Sequence, residues 1–123
     1  MDISKTELEI MQVLWKSHPL CAQDVISELN KQKAWHEKTA KTLLNRLVKK
    51  QAISFTKEGK RYLYSPLIAE KDYQQKESAS FISRLFKGRV SPLVAGFAKQ
   101  ETLSEQDVEE LKAIIADWEK NRD

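Results

Sequence analysis

The spacing of apolar residues predicts three helices in the first 51 positions of the chain. The run Ser4-Lys5-Thr6-Glu7 has the S-x-x-E form of a capping box, and the apolar spacing after it predicts a first helix that ends near Ser17. Two further stripes predict helices over residues 22–31 and 36–51. The stripe of the third helix, with the spacing i, i+3, i+4, i+7 and i+8, consists of Ala40, Leu43, Leu44, Leu47 and Val48.

The opposite side of the third predicted helix carries hydrogen-bond donors and cations. Its one acid, Glu37, lies in the first turn, where the helix dipole favours a negative charge. This composition suits the major groove of duplex DNA, where Arg and Lys pair with guanine, Asn with adenine, and a Thr methyl group with thymine. The residues that we select from this face as DNA contacts are Lys38, Thr39, Lys41, Thr42, Asn45 and Arg46.

The apolar period then changes from 3.6 to two, which is typical of strands. Ile53 and Phe55 alternate with polar residues, Tyr62 and Tyr64 do the same, and a basic turn with Gly59 lies between them. This pattern predicts a β-hairpin. Three helices followed by a basic hairpin is the order of a winged helix-turn-helix. The hairpin cations that join the predicted DNA contacts are Lys57, Lys60 and Arg61.

Residues 67–123 predict three more helices with apolar stripes. This segment is too short to bury three apolar stripes well by itself, so contact with a second copy of the chain is the simplest way to bury them. The alternative is that the stripes pack onto residues 1–66. We expect a winged-helix domain over 1–66 and a dimerisation domain over 67–123, in a mainly α fold with a small hairpin. The predicted dimer contacts are Phe81, Ile82, Leu85, Phe86, Leu93, Val94, Phe97, Val108, Leu111, Ile114, Ile115 and Trp118.

Composition narrows the functional classes. Apolar residues make up 41% of the chain and charged residues 32%, and no apolar run is long enough to span a bilayer, so we expect a cytoplasmic protein without a membrane partner. Cys21 is the only cysteine and there are three glycines, which excludes an internal disulfide and a Gly-rich phosphate loop. Glu7 and Glu9 are expected on helix surfaces. Nothing indicates a catalytic site, a metal site or a cofactor.

The net charge of +3 is unevenly distributed along the chain. Residues 1–66 carry 12 basic and 7 acidic residues, a net charge of +5, whereas residues 67–123 carry 9 and 11, a net charge of −2. Residues 31–61 alone carry 10 basic and 2 acidic residues, or +8. Positive charge this concentrated suits a polyanion, and a solvated helix face is the alternative on charge alone.

Several segments in order along the chain resemble the penicillinase-repressor family of the BlaI and MecI type. The resemblance implies a dimeric transcriptional repressor with an N-terminal winged helix and a C-terminal dimerisation region. The matching segments are Ile3-Ser4, Glu7 to Met11, Val13 to Trp15, Lys38-Thr39, Thr42-Leu43, Arg46-Leu47, Lys49-Lys50, Tyr62, Tyr64-Ser65, Leu103-Ser104 and Glu109 to Leu111.

Two departures from the family concern its regulation. Members that respond to β-lactams are inactivated by a regulatory protease at an Asn-Phe bond, and the matching position here is Gly96-Phe97. The phenylalanine is kept and the asparagine is not, which argues against the same cleavage. Copper-responsive relatives carry a cysteine-rich C-terminal motif, and this chain has no cysteine after Cys21. Copper sensing by that route is therefore excluded.

The hypothesis that follows is a sequence-specific dimeric repressor that binds an inverted-repeat operator and is not an enzyme. Thr42, Asn45 and Lys41 are our choice for contacts with base edges, and the remaining cations and Thr39 for phosphates. A protein-interaction adaptor that uses a winged helix without reading DNA is the alternative, because fold alone does not determine function. Non-specific architectural DNA binding is a third reading.

Overall fold

A computed structural model describes residues 2–122, which form six α-helices and one small antiparallel sheet. The mainly helical fold and the hairpin are as predicted. One compact unit extends to Gln74 and a second begins at Gln75. The predicted domain boundary between residues 66 and 67 stays a prediction. In chain order the elements are α1 (Lys5–Lys16), β1 (Leu20–Cys21), α2 (Ala22–Asn30), α3 (Glu37–Lys49), β2 (Ile53–Glu58), β3 (Arg61–Pro66), α4 (Glu70–Phe86), α5 (Ser91–Lys99) and α6 (Glu105–Asn121).

The capping box predicted at the start of α1 is present. The Ser4 hydroxyl accepts from the Glu7 N–H at 3.1 Å, and a Glu7 carboxylate oxygen accepts from the Ser4 N–H at 2.8 Å. The expectation that Glu7 lies on the helix surface is wrong, because only 2% of the residue is exposed. Lys50 is the C-cap residue of α3, and its ammonium lies 2.6 Å from the same carboxylate oxygen of Glu7. This ion pair joins the beginning of α1 to the end of α3.

Because of the Glu7–Lys50 ion pair, the free energy of unfolding is expected to vary with pH in the acidic range. Burial by itself raises the pKa of Glu7, but the hydrogen bonds from Lys50 and Ser4 and the charge of Lys50 outweigh it, so the pKa lies below its ordinary value. Ionised Glu7 therefore stabilises the fold above the unfolded-state pKa of about 4.3. That stabilisation is lost as the pH falls through the lower folded-state value.

Replacing Glu7 by glutamine is expected to lower the free energy of unfolding by about 1–3 kcal/mol near neutral pH, because Lys50 loses its charged partner. Urea unfolding at about pH 7 and about pH 3 should show a difference from the wild type that narrows in acid. Glu9→Gln on the same helix is the control, since Glu9 pairs with Lys33 nearer the surface at 3.1 Å. A Glu7→Gln difference of equal size at both pH values would contradict the role given to ionised Glu7.

The core of the first unit lies between α1, α2, α3 and the sheet. The predicted stripe of α3 faces it, with four residues buried and Val48 partly buried. The strand order is β1–β3–β2, and both neighbouring pairs are antiparallel. β1 was not predicted, because two residues carry no readable period; it pairs Leu20 with Tyr64 and Cys21 with Leu63. This short strand fixes the start of α2 against the hairpin.

The second unit comprises the later part of α4 together with α5 and α6. No described residue between 75 and 122 is buried, although several large apolar side chains lie there. Ile114, Ile115 and Trp118 on α6 are 63%, 57% and 59% exposed. Throughout the described part of the chain, no helix combines the length and apolar character needed to cross a membrane.

Candidate nucleic-acid interface

The outward face of α3 is held rigidly from behind. Leu44 and Leu47 are completely buried on its inner face, and Ala40 and Leu43 pack beside them. Because an α-helix that buries one stripe must present the opposite stripe outward, the polar residues are exposed. The residues predicted to contact DNA from this helix, all of them exposed, are Lys38, Thr39, Lys41, Thr42, Asn45 and Arg46.

The start of α3 is fixed by the turn that precedes it. The side-chain amide of Asn30 donates to the Ile26 carbonyl at 3.0 Å, and its oxygen accepts from the Trp35 N–H at 2.8 Å. His36 occupies the N-cap position without a side-chain cap hydrogen bond. In the first turn, the Glu37 carboxylate lies 2.9 Å from the Lys41 ammonium. This pair is exposed, so Lys41 can exchange Glu37 for another anion at little cost.

Two residues chosen for base contacts differ in what they can offer. The Thr42 hydroxyl donates to the Lys38 carbonyl at 2.9 Å, which leaves its methyl group and an acceptor lone pair facing outward. The Asn45 amide forms no hydrogen bond with the rest of the described chain. It therefore keeps both its donor and its acceptor for a bidentate partner such as adenine.

The hairpin brings its cations to one exposed tip. Phe55 lies opposite Tyr64 across β2 and β3, and Glu58 lies opposite Arg61 next to the turn. Gly59 has a φ of 65°, a left-handed conformation that suits glycine at a tight turn. The predicted wing residues, all exposed at or next to this turn, are Lys57, Lys60 and Arg61.

A cleft missed by sequence reasoning lies between the start of α2, the face of α3 and strand β3. We call it the α2–α3–β3 cleft; its walls include Gln23, Lys41, Asn45, Arg61, Tyr62 and Tyr64. The cleft joins both sets of predicted DNA contacts, because Lys41 and Asn45 line it from the helix, and Lys60 and Arg61 line it from the wing. The alternation of Tyr62 and Tyr64 indicated a strand, but nothing in the sequence showed that β1 would bring α2 beside it.

The other side chains with polar or reactive atoms, Cys21, His18 and Trp15, have positions explained by the fold. Cys21 is the buried N-cap residue of α2 and makes no side-chain cap hydrogen bond. His18 Nδ1 lies 2.7 Å from the Leu14 carbonyl oxygen, and the Trp15 indole donates to the Ile68 carbonyl at 2.8 Å. Within residues 2–122, no cluster of His, Cys, Asp and Glu could hold a metal ion.

The predicted dimer contacts are exposed or partly buried in the second unit. Those on α4 are Phe81, Ile82, Leu85 and Phe86, with Phe81 and Phe86 6.0 Å apart between ring centroids. Gly96 and Phe97, which match the cleavage position of the β-lactam-responsive relatives, are both exposed in α5. The α5 contacts are Leu93, Val94 and Phe97, and the α6 contacts are Val108, Leu111, Ile114, Ile115 and Trp118.

Comparison with known proteins identifies relatives over nearly the whole length. Residues 3–117 match the sequence profile of a family described as "Penicillinase repressor". The chain is similar to the penicillinase repressor of Bacillus licheniformis, with 40% identity over 98% of this chain and 93% of the relative. It is also similar to the methicillin resistance regulatory protein MecI of Staphylococcus aureus, with 38% identity over 93% of each chain.

Two solved structures are each similar to more than half of this chain. One is the solution structure of the DNA-binding domain of the repressor BlaI, with a TM-score of 0.54 and 46% identity over 58% of this chain and 88% of that chain. The other is the monomeric form of BlaI from Bacillus licheniformis in complex with the blaP half-operator. It has a TM-score of 0.52 and 45% identity over 59% of this chain and 89% of that chain.

Proposed function

The chain belongs to the penicillinase repressor family, and from that premise we propose that it represses transcription by binding operator DNA as a homodimer. Each copy lays α3 in a major groove and sets its wing on the neighbouring backbone. The two grooves are about one helical turn, roughly 34–36 Å, apart, so the operator is an inverted repeat. Bound there, the dimer blocks RNA polymerase at the promoter. A similar BlaI domain in complex with a half-operator supports this assignment.

The observation that carries the proposal is the division of α3 into two faces. Four of the five residues in its inner stripe are buried, so the helix cannot rotate to hide its outward residues. Those outward residues are cations, hydroxyls and an amide, and the hairpin adds three more cations beside them. A protein-binding adaptor would be expected to carry an aromatic-rich, charge-depleted surface at this position.

The two kinds of DNA contact are assigned to different residues. We propose that Thr42, Asn45 and Lys41 contact base edges, because they lie on the outward side of the helix away from the buried stripe. The phosphate contacts are proposed for Lys38, Thr39, Arg46, Lys57, Lys60 and Arg61. Base contacts determine sequence preference, whereas phosphate contacts contribute affinity at every sequence.

The homodimer is proposed from the apolar surface of the second unit. Described residues from 75 onward include no buried side chain, yet α4, α5 and α6 all carry apolar stripes. Exposed apolar surface of this extent marks an interaction site, and a second copy supplies the same surface. The proposed boundary with the DNA-binding domain lies between residues 66 and 67.

A regulatory protease is the second protein partner that follows from the family. The missing asparagine argues against cleavage at Gly96–Phe97, and the position of this bond in α5 sets a further condition on it. A peptide bond inside a helix is cut from a locally opened state, so the cleavage rate would follow the stability of α5.

Selection of bound fragments from random and genomic DNA by the full chain tests the proposed function. We expect enrichment of one inverted repeat, and repression of a reporter placed behind that sequence. Binding without any preferred sequence would point to architectural DNA binding. Absence of DNA binding across a range of salt concentrations would leave the adaptor reading and overturn the repressor.

Substitutions on α3 test the division between base and phosphate contacts. Asn45→Ala and Thr42→Ala are each expected to lose about 1–3 kcal/mol of discrimination against altered operators while non-specific binding is largely retained. Arg46→Ala is expected to weaken all sequences alike and to reduce the salt slope by about one unit. Competition binding assays with operator variants measure both. A change of sequence preference in Arg46→Ala but not in Asn45→Ala would reverse the assignment.

A further inference from the structure

The start of α4 is attached to α1 through the side chain of Trp15. The indole N–H of Trp15 donates at 2.8 Å to the carbonyl of Ile68, which lies just before α4 in the chain. The Trp15 ring also lies 5.7 Å from the ring of Tyr73 between centroids. Trp15 and Ile68 both pack against the core of the first unit. One side chain of α1 therefore contacts the residue before α4 and a residue in its first turn.

The first half of α4 is held at this one place. From Glu70 to Phe81, a stretch that the structure describes without a gap, every residue except Tyr73 is exposed. The chain just before the helix is fixed as well, because the Leu67 N–H donates to the Ala52 carbonyl at 2.9 Å. The angle at which α4 starts is therefore determined by the Trp15 contacts and by the short segment before them.

A long helix amplifies a change of angle at the point where it is held. α4 belongs to the first unit as far as Gln74 and to the second unit from Gln75 onward. From Tyr73 to Phe86 the helix rises about 20 Å, at about 1.5 Å per residue. A rotation of about 10° at Tyr73 would move Phe86 by about 3–4 Å, close to the rise of one base pair in duplex DNA.

We propose that Trp15 is a positioning residue that sets the half-site spacing of the operator by fixing the angle at which α4 starts. The inference rests on the proposed homodimer, in which the second units of two copies associate. The distance between the two copies of α3 then depends on the direction that each α4 takes from its own first unit. Trp15 acts through α4, so it determines which spacing is bound and leaves the contacts of each α3 with its half-site unchanged.

Tyr73→Ala tests the proposal by removing the ring that Trp15 contacts from an otherwise exposed stretch of helix. The probes are duplexes with the inverted repeat selected by the full chain, at the selected spacing and with one base pair added or removed between the half-sites. We expect wild-type affinity to fall at least about tenfold at the altered spacings, because the two copies then cannot bind together without distortion. For Tyr73→Ala the fall should be about threefold or less.

A duplex with a single half-site separates positioning from damage to the DNA-binding surface. Tyr73→Ala should bind it as tightly as the wild type does, because α3 and the wing are unchanged. Trp15→Phe removes the indole N–H and keeps an aromatic ring, and it should relax the spacing preference in the same direction. Gln74→Ala, at the neighbouring exposed position of α4, is the matched control and should keep the wild-type preference.

Four results would overturn the inference. They are a wild-type chain that binds all three spacings alike, an unchanged spacing preference in both Tyr73→Ala and Trp15→Phe, equal relaxation in Gln74→Ala, and a loss in Tyr73→Ala that is equal on the repeat and on the single half-site. A wild-type chain that binds neither the repeat nor the half-site would overturn the proposed function itself, so the two failures are distinguishable.

Discussion

Ile115→Glu is expected to convert the protein into a monomer and to weaken operator binding by at least about 100-fold. Ile115 is 57% exposed in one chain, so a charge there costs a single chain little. In the proposed homodimer the same side chain is covered, and a buried unpaired carboxylate is strongly unfavourable. The loss in affinity follows because two linked recognition helices bind an inverted repeat far more tightly than one. Light scattering measures the mass, and titration of the operator measures the affinity.

Ala113→Glu is the matched control on the same helix. Ala113 is exposed and lies about 200° around α6 from Ile115, away from the apolar stripe. The same charge at that position should leave both the mass and the operator affinity unchanged. A dimer that survives Ile115→Glu, or one that is lost equally with Ala113→Glu, would show that the apolar stripe of α6 is not the interface.

Leu47→Ala is expected to lower the free energy of unfolding of the first unit by about 2–5 kcal/mol. Leu47 is completely buried, and its removal leaves a cavity directly behind the outward face of α3. Operator binding should weaken together with stability, because the position of the recognition residues depends on this packing. Urea unfolding followed by circular dichroism measures the first effect, and operator titration under native conditions measures the second.

Leu67→Ala is the control for the chemistry of the substitution. Leu67 is 57% exposed and lies outside the buried core, so the same truncation should cost less than about 1 kcal/mol. If both variants lose equal stability, the free energy of unfolding does not depend on burial at Leu47 in the way the structure indicates.

The recognition helix and the hairpin could be predicted because each depends on local pattern. The stripe from Ala40 to Val48 repeats at helical spacing over more than two turns, and it faces the core as expected. The change to a period of two at Ile53 and Phe55 gives the hairpin equally clearly. Exposure of the polar face then follows from helix geometry alone.

The α2–α3–β3 cleft could not be predicted because it depends on pairing between distant residues. β1 has only two residues, and its register with β3 joins Leu20 to Tyr64 across more than forty positions. No local period reports such a pairing. The burial of Glu7 was missed for a similar reason, because its partner Lys50 lies at the other end of the three-helix segment.

The second unit marks another limit of sequence reasoning. The stripes on α4, α5 and α6 are recognisable, but a stripe carries no information about the surface that covers it. Side chains such as Trp118 stay exposed in a single chain, and a second copy with the same stripes is the cover that symmetry favours.

The exposed apolar stripes have a consequence for gene control. If two copies must associate before an operator is occupied, occupancy at low protein levels varies with the square of the cellular concentration of the chain. A twofold fall in synthesis would then lower occupancy about fourfold. A promoter controlled in this way responds sharply to small changes in repressor abundance. The threshold of that response is set by how tightly the second units of two copies associate.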